Sequence, residues 1–141
     1  MRGGRVGSSL WRKPGLEMPE DEPNYGCQGA VMSSSIRDFH AHIYFGPAEI
    51  GQAQALASAA RERFGIAVGH FHERPVGPHP RGSVQMTVPT EKFGEVATWL
   101  AVHRAGLTIF AHASTGNDLQ DHSHNVVWFG PSEDLDLSLF D

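Results

Sequence analysis

Cysteine is almost missing from this chain. Cys27 stands alone among 141 residues. That excludes an internal disulfide framework and any Cys-rich zinc ribbon, so a metal would need histidine and carboxylate ligands. Clustered basic charge is missing too. The net charge is −5 and no basic run is longer than Arg12-Lys13, which leaves no source for the phosphate neutralisation that nucleic-acid binding requires. No apolar run approaches the roughly 20 residues needed to cross a bilayer. The opening MRGGRVGSSLWRK lacks the apolar core of a signal peptide. A transit peptide, or a start site over-called upstream of Met32, are the other readings of that stretch. These deficits point to a globular protein in a reducing, cytoplasmic setting, with neither nucleic acid nor membrane as partner.

Three segments follow from composition. Residues 1–35 are rich in Gly, Pro and Ser, balance four basic against four acidic residues, and have no apolar periodicity, so a disordered tail is expected. The patterned region covers 36–131 and holds all nine histidines. Residues 132–141 form an acidic C-terminal tail.

The patterned region switches between periods of two and 3.6. FHAHIYF, within a strand over 36–45, alternates strictly: Phe39, Ala41, Ile43 and Phe45 face one way, and Asp38, His40, His42 and Tyr44 the other. A helix follows, started near Pro47, with Ile50, Ala53, Leu56, Ala57 and Ala60 as its apolar stripe and Gly65 as its stop. Further strands are expected at 66–72, 83–88, 107–112 and near 125–130. A Pro-rich loop spans 73–82. A second helix is expected over 89–106, with Thr90 as cap and Phe93, Val96, Ala97, Leu100 and Val102 as apolar positions. Residues 113–124 read as a polar loop. The order β-α-β-β-α-β plus a strand predicts an α+β, ferredoxin-like split βαβ antiparallel sheet with two helices on one face and strand order 4-1-3-2. The helix-free face would be solvated or covered by a second copy, and closure of two such sheets into a dimeric α/β barrel is expected.

Alternation puts His40, His42, Gln85 and His112 on that helix-free face. His70 and His72 share a face with each other, and join the same one if Ala67, Gly69 and Phe71 look toward the helices. His79 and His122 stand in flanking loops. Two imidazoles at i, i+2 on a strand project in one direction, as metal sites require. His103, at the end of the second helix, suits the helix dipole. Asp118 and Asp121 read as turn residues or as groups that hold a histidine ring. Arg74 and Arg81 bracket the Pro-rich loop as surface charge or as a carboxylate clamp.

HAHIYF (40–45), FHERPVGPHPRGSVQ (71–85), HASTGNDLQDH (112–122) and VWFG (127–130) together resemble the DOPA 4,5-dioxygenase family of fungi and bacteria. The pattern departs at QDHSHNVVW, where Asn125 occupies the place of a second family histidine and His124 stands one position earlier. The resemblance implies a non-haem Fe(II) extradiol dioxygenase that opens a catechol such as L-DOPA with O₂. Zinc would be a substitute metal. On that basis His42 and His112 are the first metal ligands, and His40 and His79 the candidates for a third. His72 and His122 are the acid/base candidates, and Arg74, Arg81 and Gln85 the substrate contacts. Asp38, Glu73 and Asp121 compete as a carboxylate ligand, and an all-histidine site is the other reading. The alternatives are a non-enzymatic dimeric metal- or small-molecule-binding protein of the same fold and a metal-free acid/base enzyme.

Overall fold

The computed structural model describes residues 36–140. The tail expected over 1–35 lies outside the described residues. Five strands form one antiparallel sheet in the order β2-β3-β1-β4-β5, with β1 at Asp38–Phe45, β2 at Ala67–Val68, β3 at Gly82–Val88, β4 at Ile109–Ser114 and β5 at Val126–Phe129. Helices α1 (Ile50–Phe64), α2 (Phe93–His103) and α3 (Asp118–Ser123) accompany it. None of these helices is long and apolar enough to cross a membrane.

The alternation of β1 sets the layers. Ala41, Ile43 and Phe45 are buried against Ala53, Leu56, Ala57 and Ala60 of α1 and Val96 and Leu100 of α2. Alanines on α1 let that helix lie close to the sheet. Phe39 stacks on Phe93 at the core's edge, with ring centroids 4.0 Å apart. Burying a side chain such as Leu100 contributes about 2 kcal/mol. Gly65 ends α1 as expected, at φ +67° with its N–H donating to the Arg61 carbonyl.

Several expected details differ. Pro47 lies in a turn that precedes α1, which begins at Ile50. The second helix is shorter than 89–106, because Thr90–Lys92 form a 3-10 turn and Thr90 makes no side-chain cap. Val102 is 76% exposed. Phe93, Val96, Ala97 and Leu100 already form an i, i+3, i+4, i+7 stripe, and Val102 falls off it. The polar loop over 113–124 contains α3, whose first turn is capped by Asn117 accepting from the Gln120 N–H at 3.1 Å.

The strand expected over 66–72 is regular only at Ala67–Val68. The Gly69 N–H still donates to the Gln85 carbonyl, but His72 bridges Ser83, so one extra residue enters the strand between them. Ile66 and Val68 face the core before this bulge and Phe71 packs toward it after. Each of the two competing facings therefore holds on its own side of the bulge.

The helix-free face is not left wholly to solvent or to a second copy. The 73–82 loop, α3 and the C-terminal segment fold over part of it, where Tyr44 and Phe110 are completely buried. The Asp136 N–H donates to the Pro78 carbonyl, and Phe140 stacks on His122 at 4.7 Å.

Candidate metal centre

β1 lies between β3 and β4, and its register decides which distant residues meet. His40 pairs with His112, and His42 pairs with Phe110 on one side and Gln85 on the other. The outcome is a group of three imidazoles, His40, His42 and His112, whose candidate ligating atoms lie within 4.8 Å of one another. His42 and His112 are buried and His40 is half-buried.

The arrangement fits a metal ion. His42 Nε2 and His112 Nε2 are 3.2 Å apart. Two imidazole nitrogens each about 2.1 Å from one ion, at angles from 90° to tetrahedral, lie about 3.0–3.4 Å apart. His112 Nδ1 donates to the Ala113 carbonyl at 3.0 Å, which leaves the Nε2 lone pair facing His42. Asp38 Oδ1 stands 3.2 Å from His40 Nε2. The two are not aligned as a hydrogen bond, and Oδ1 is buried without another partner. Three imidazoles at this spacing are a donor set that a divalent transition metal accepts, and Asp38 stands beside one of them, His40.

Burial keeps His42 and His112 neutral and so able to ligate. Burial, reinforced by His79, His112, His40 and His122, holds His42 well below the ordinary imidazole value. Burial brings His112 down to about 4, against an opposing contribution from its bond to the Ala113 carbonyl. His79 is also brought to about 4 by burial, with help from His122, His112 and His72.

The remaining expected site residues fall into distinct places. His79 lies 4.1 Å from His42 between ring centroids, but its Nδ1 is held by the Tyr44 hydroxyl at 2.8 Å. His122, on α3, lies 4.1 Å from His112 between centroids. Its Nδ1 donates to the Asp118 carbonyl at 2.7 Å. His72 and His70 line a cavity of about 340 Å³ together with His42, His79, Gln85 and Thr87. Gln85 donates to the Thr87 hydroxyl at 3.0 Å. Arg81 is already engaged: Glu133 takes both its Nε and Nη2, at 3.1 and 2.9 Å, and Glu49 takes Nη1 at 3.4 Å. Arg74 and Glu73 are exposed. Asp121 accepts from the Thr115 N–H, the Thr115 hydroxyl and Asn125. Burial would raise its carboxyl, but these hydrogen bonds prevail and hold it below the usual carboxylate range. Of the three carboxylates in competition, only Asp38 touches the imidazole group.

The sequence profile of the Dopa 4,5-dioxygenase family matches residues 39–139. The chain belongs to this family. Within it, a protein of Amanita muscaria named DOPA 4,5-dioxygenase is 34% identical over 117 residues, which cover 77% of this chain and 51% of that protein. An uncharacterized 21.2 kDa protein of Botryotinia fuckeliana is 31% identical over 121 residues, 77% of this chain and 66% of that one. The chain thus matches between half and two thirds of the length of these relatives. A crystal structure of a protein from Nostoc punctiforme, described as a candidate dioxygenase, superposes with a TM-score of 0.66 at 32% identity, over 76% of this chain and 93% of the other. The family match ends at residue 139 and so runs through the C-terminal segment that packs against the 73–82 loop.

Two features of the site escaped sequence reasoning. Tyr44 is an ordinary member of the β1 alternation until the fold brings His79 to its hydroxyl. Asn117 caps the short helix that carries His122, in a stretch that reads as a polar loop with no helix start.

Proposed function

We propose that this chain is a non-haem Fe(II) extradiol dioxygenase that opens the ring of a catechol such as L-DOPA, with His40, His42 and His112 holding the metal. The observation that carries this reading is the 3.2 Å approach of His42 Nε2 to His112 Nε2 beside His40, in a Dopa 4,5-dioxygenase family member. Ferrous iron, when bound, supplies the electron exchange that O₂ needs before it reacts with a closed-shell ring. A reducing, cytoplasmic setting would keep that iron ferrous.

The chain's own residues do the rest. The cavity of about 340 Å³ beside His42 has Val76 as apolar wall, with His72, Gln85 and Thr87 as polar contacts for an aromatic diol. His122 is the base. Its Nδ1–H is committed to the Asp118 carbonyl and its Nε2 has no partner among the described residues, so that nitrogen would take a catechol proton and later return it. His72 orients the ring from the cavity's mouth. Arg81, bound to Glu133 and Glu49, organises the wall and does not clamp a substrate carboxylate. Arg74 is the remaining candidate for that contact. The same reading assigns residues 36–131 to a ferredoxin-like domain that pairs with a second copy. Light scattering that returned only the 15.4 kDa protomer would remove the dimer.

Anaerobic loading with Fe(II), followed by L-DOPA or 4-methylcatechol in air, tests the activity. O₂ uptake in step with a yellow ring-opened product is expected. Stoichiometric iron without turnover across a catechol panel would refute it and leave a metal-binding protein. His42→Ala should lose the bound metal altogether.

A further inference from the structure

Tyr44 is completely buried, and its hydroxyl has one hydrogen-bond partner among the described residues, His79 Nδ1 at 2.8 Å. A buried O–H must donate or lose the energy of a hydrogen bond. Tyr44 therefore donates, and His79 Nδ1 accepts. A neutral imidazole that accepts at one nitrogen carries its hydrogen on the other. We propose that Tyr44 is a positioning residue that fixes His79 as a permanent Nε2–H donor at the edge of the cavity, so that His79 is neither a metal ligand nor a base but a hydrogen-bond donor to an anionic oxygen bound there.

The surroundings agree. The Arg81 guanidinium covers the Tyr44 ring, 5.8 Å from its centroid, and Trp128 packs edge-on at 6.0 Å, so the phenol cannot swing away from His79. Tyr44 does not reach the cavity, whereas His79 lines it together with His42. The ring edge away from Tyr44 is the one on offer.

His122 is anchored in the opposite sense, with Nδ1–H donating to a carbonyl and Nε2 left as the acceptor, without a partner among the described residues. The three-imidazole group is thereby flanked by one fixed donor and one fixed acceptor. An oxyanion on the His79 side is stabilised without proton movement, as preorganised donors do at sites of developing negative charge.

The tautomer is measurable without turnover. Long-range ¹H–¹⁵N NMR of the full chain, metal-free and then with one equivalent of Zn(II), reads which ring nitrogen of His79 bears hydrogen. Nε2–H in both states is expected. Nδ1–H, or loss of the Nε2 hydrogen on adding Zn(II), would overturn the proposal, the latter by making His79 a ligand. Tyr44→Phe keeps the ring packing and should release His79 toward a mixture of tautomers; an unchanged tautomer in that variant also overturns it. The oxyanion role rests on the dioxygenase reading. In the Fe(II)-loaded enzyme, Tyr44→Phe should lower kcat about tenfold or more with KM within about twofold, and an unchanged kcat would remove that role. A fixed Nε2–H in a protein that turns over no catechol would refute the activity and leave the tautomer assignment standing.

Discussion

At the scale of single residues, burial decides which histidines can ligate. His112 and His79 are held at about 4, against an ordinary value of 6.5. Between those values the unfolded chain takes up protons that the fold refuses, so stability is full above about 6.5 and is lost as the pH falls toward 4. The metal-free protein should therefore show a melting temperature that drops steadily across that window. Thermal melts followed by circular dichroism would check this, and His112→Asn should flatten the curve. A flat wild-type curve would mean that these rings are protonated in the fold. Asp121 gives a second expectation. Its carboxylate satisfies three donors at once, from Thr115 and Asn125. Asp121→Ala should cost about 2–3 kcal/mol through those unsatisfied groups, read from urea unfolding, and a cost below about 0.5 kcal/mol would show that water replaces the carboxylate.

Secondary-structure elements separate what periodicity can reveal from what it cannot. The period of two in β1 was enough to put His40 and His42 opposite Ala41 and Ile43, because one face had to be buried. The His40–His112 pairing followed from antiparallel register across a sheet whose order was predictable. The β2 bulge was not legible, since Ile66, Val68 and Phe71 satisfy the core only if a residue is inserted, and no single alternation describes them. The third member of the imidazole group also stayed open, because His79 stands in a loop and loops have no period. Arg81 lies 52 residues from Glu133, so nothing local in the sequence marks their pairing. Two substitutions test the element assignments. Gly82 has no room for a side chain: a Cβ there would lie 3.0 Å from the His72 carbonyl, the Phe45 carbonyl and the Phe45 ring. Gly82→Ala should cost about 1–3 kcal/mol by forcing β3 away from β1 and the bulge. On α2, Leu100→Ala should cost about 2–5 kcal/mol while Val102→Ala stays within about 0.5 kcal/mol. Equal costs would mean that the helix is rotated.

For the molecule as a whole, the C-terminal segment closes the site from outside. Glu133 holds Arg81, Asp136 holds Pro78 and Phe140 covers His122. The ion pair is part-exposed and contributes about 1 kcal/mol at most by itself. Its effect comes from acting together with the Asp136–Pro78 hydrogen bond on the same loop. Ending the chain at Pro131 should leave the sheet's circular dichroism intact, yet expose the 73–82 loop to limited proteolysis and weaken metal affinity about tenfold or more, an effect typical of lost outer support. Proteolysis and affinity equal to the full chain would show that the loop holds itself in place.

The position of β1 has a kinetic consequence. It is bonded on both edges, to β3 and β4, along most of its length. Its backbone amides should be among the slowest to exchange with deuterium, because releasing them requires both neighbouring strands to part. Two of the three candidate ligands sit on that strand and the third on its neighbour, so the floor of the centre cannot open without global unfolding. The lifetime of a bound ion is then governed by the loops above it, and metal can be gained or lost while every amide of β1 stays protected.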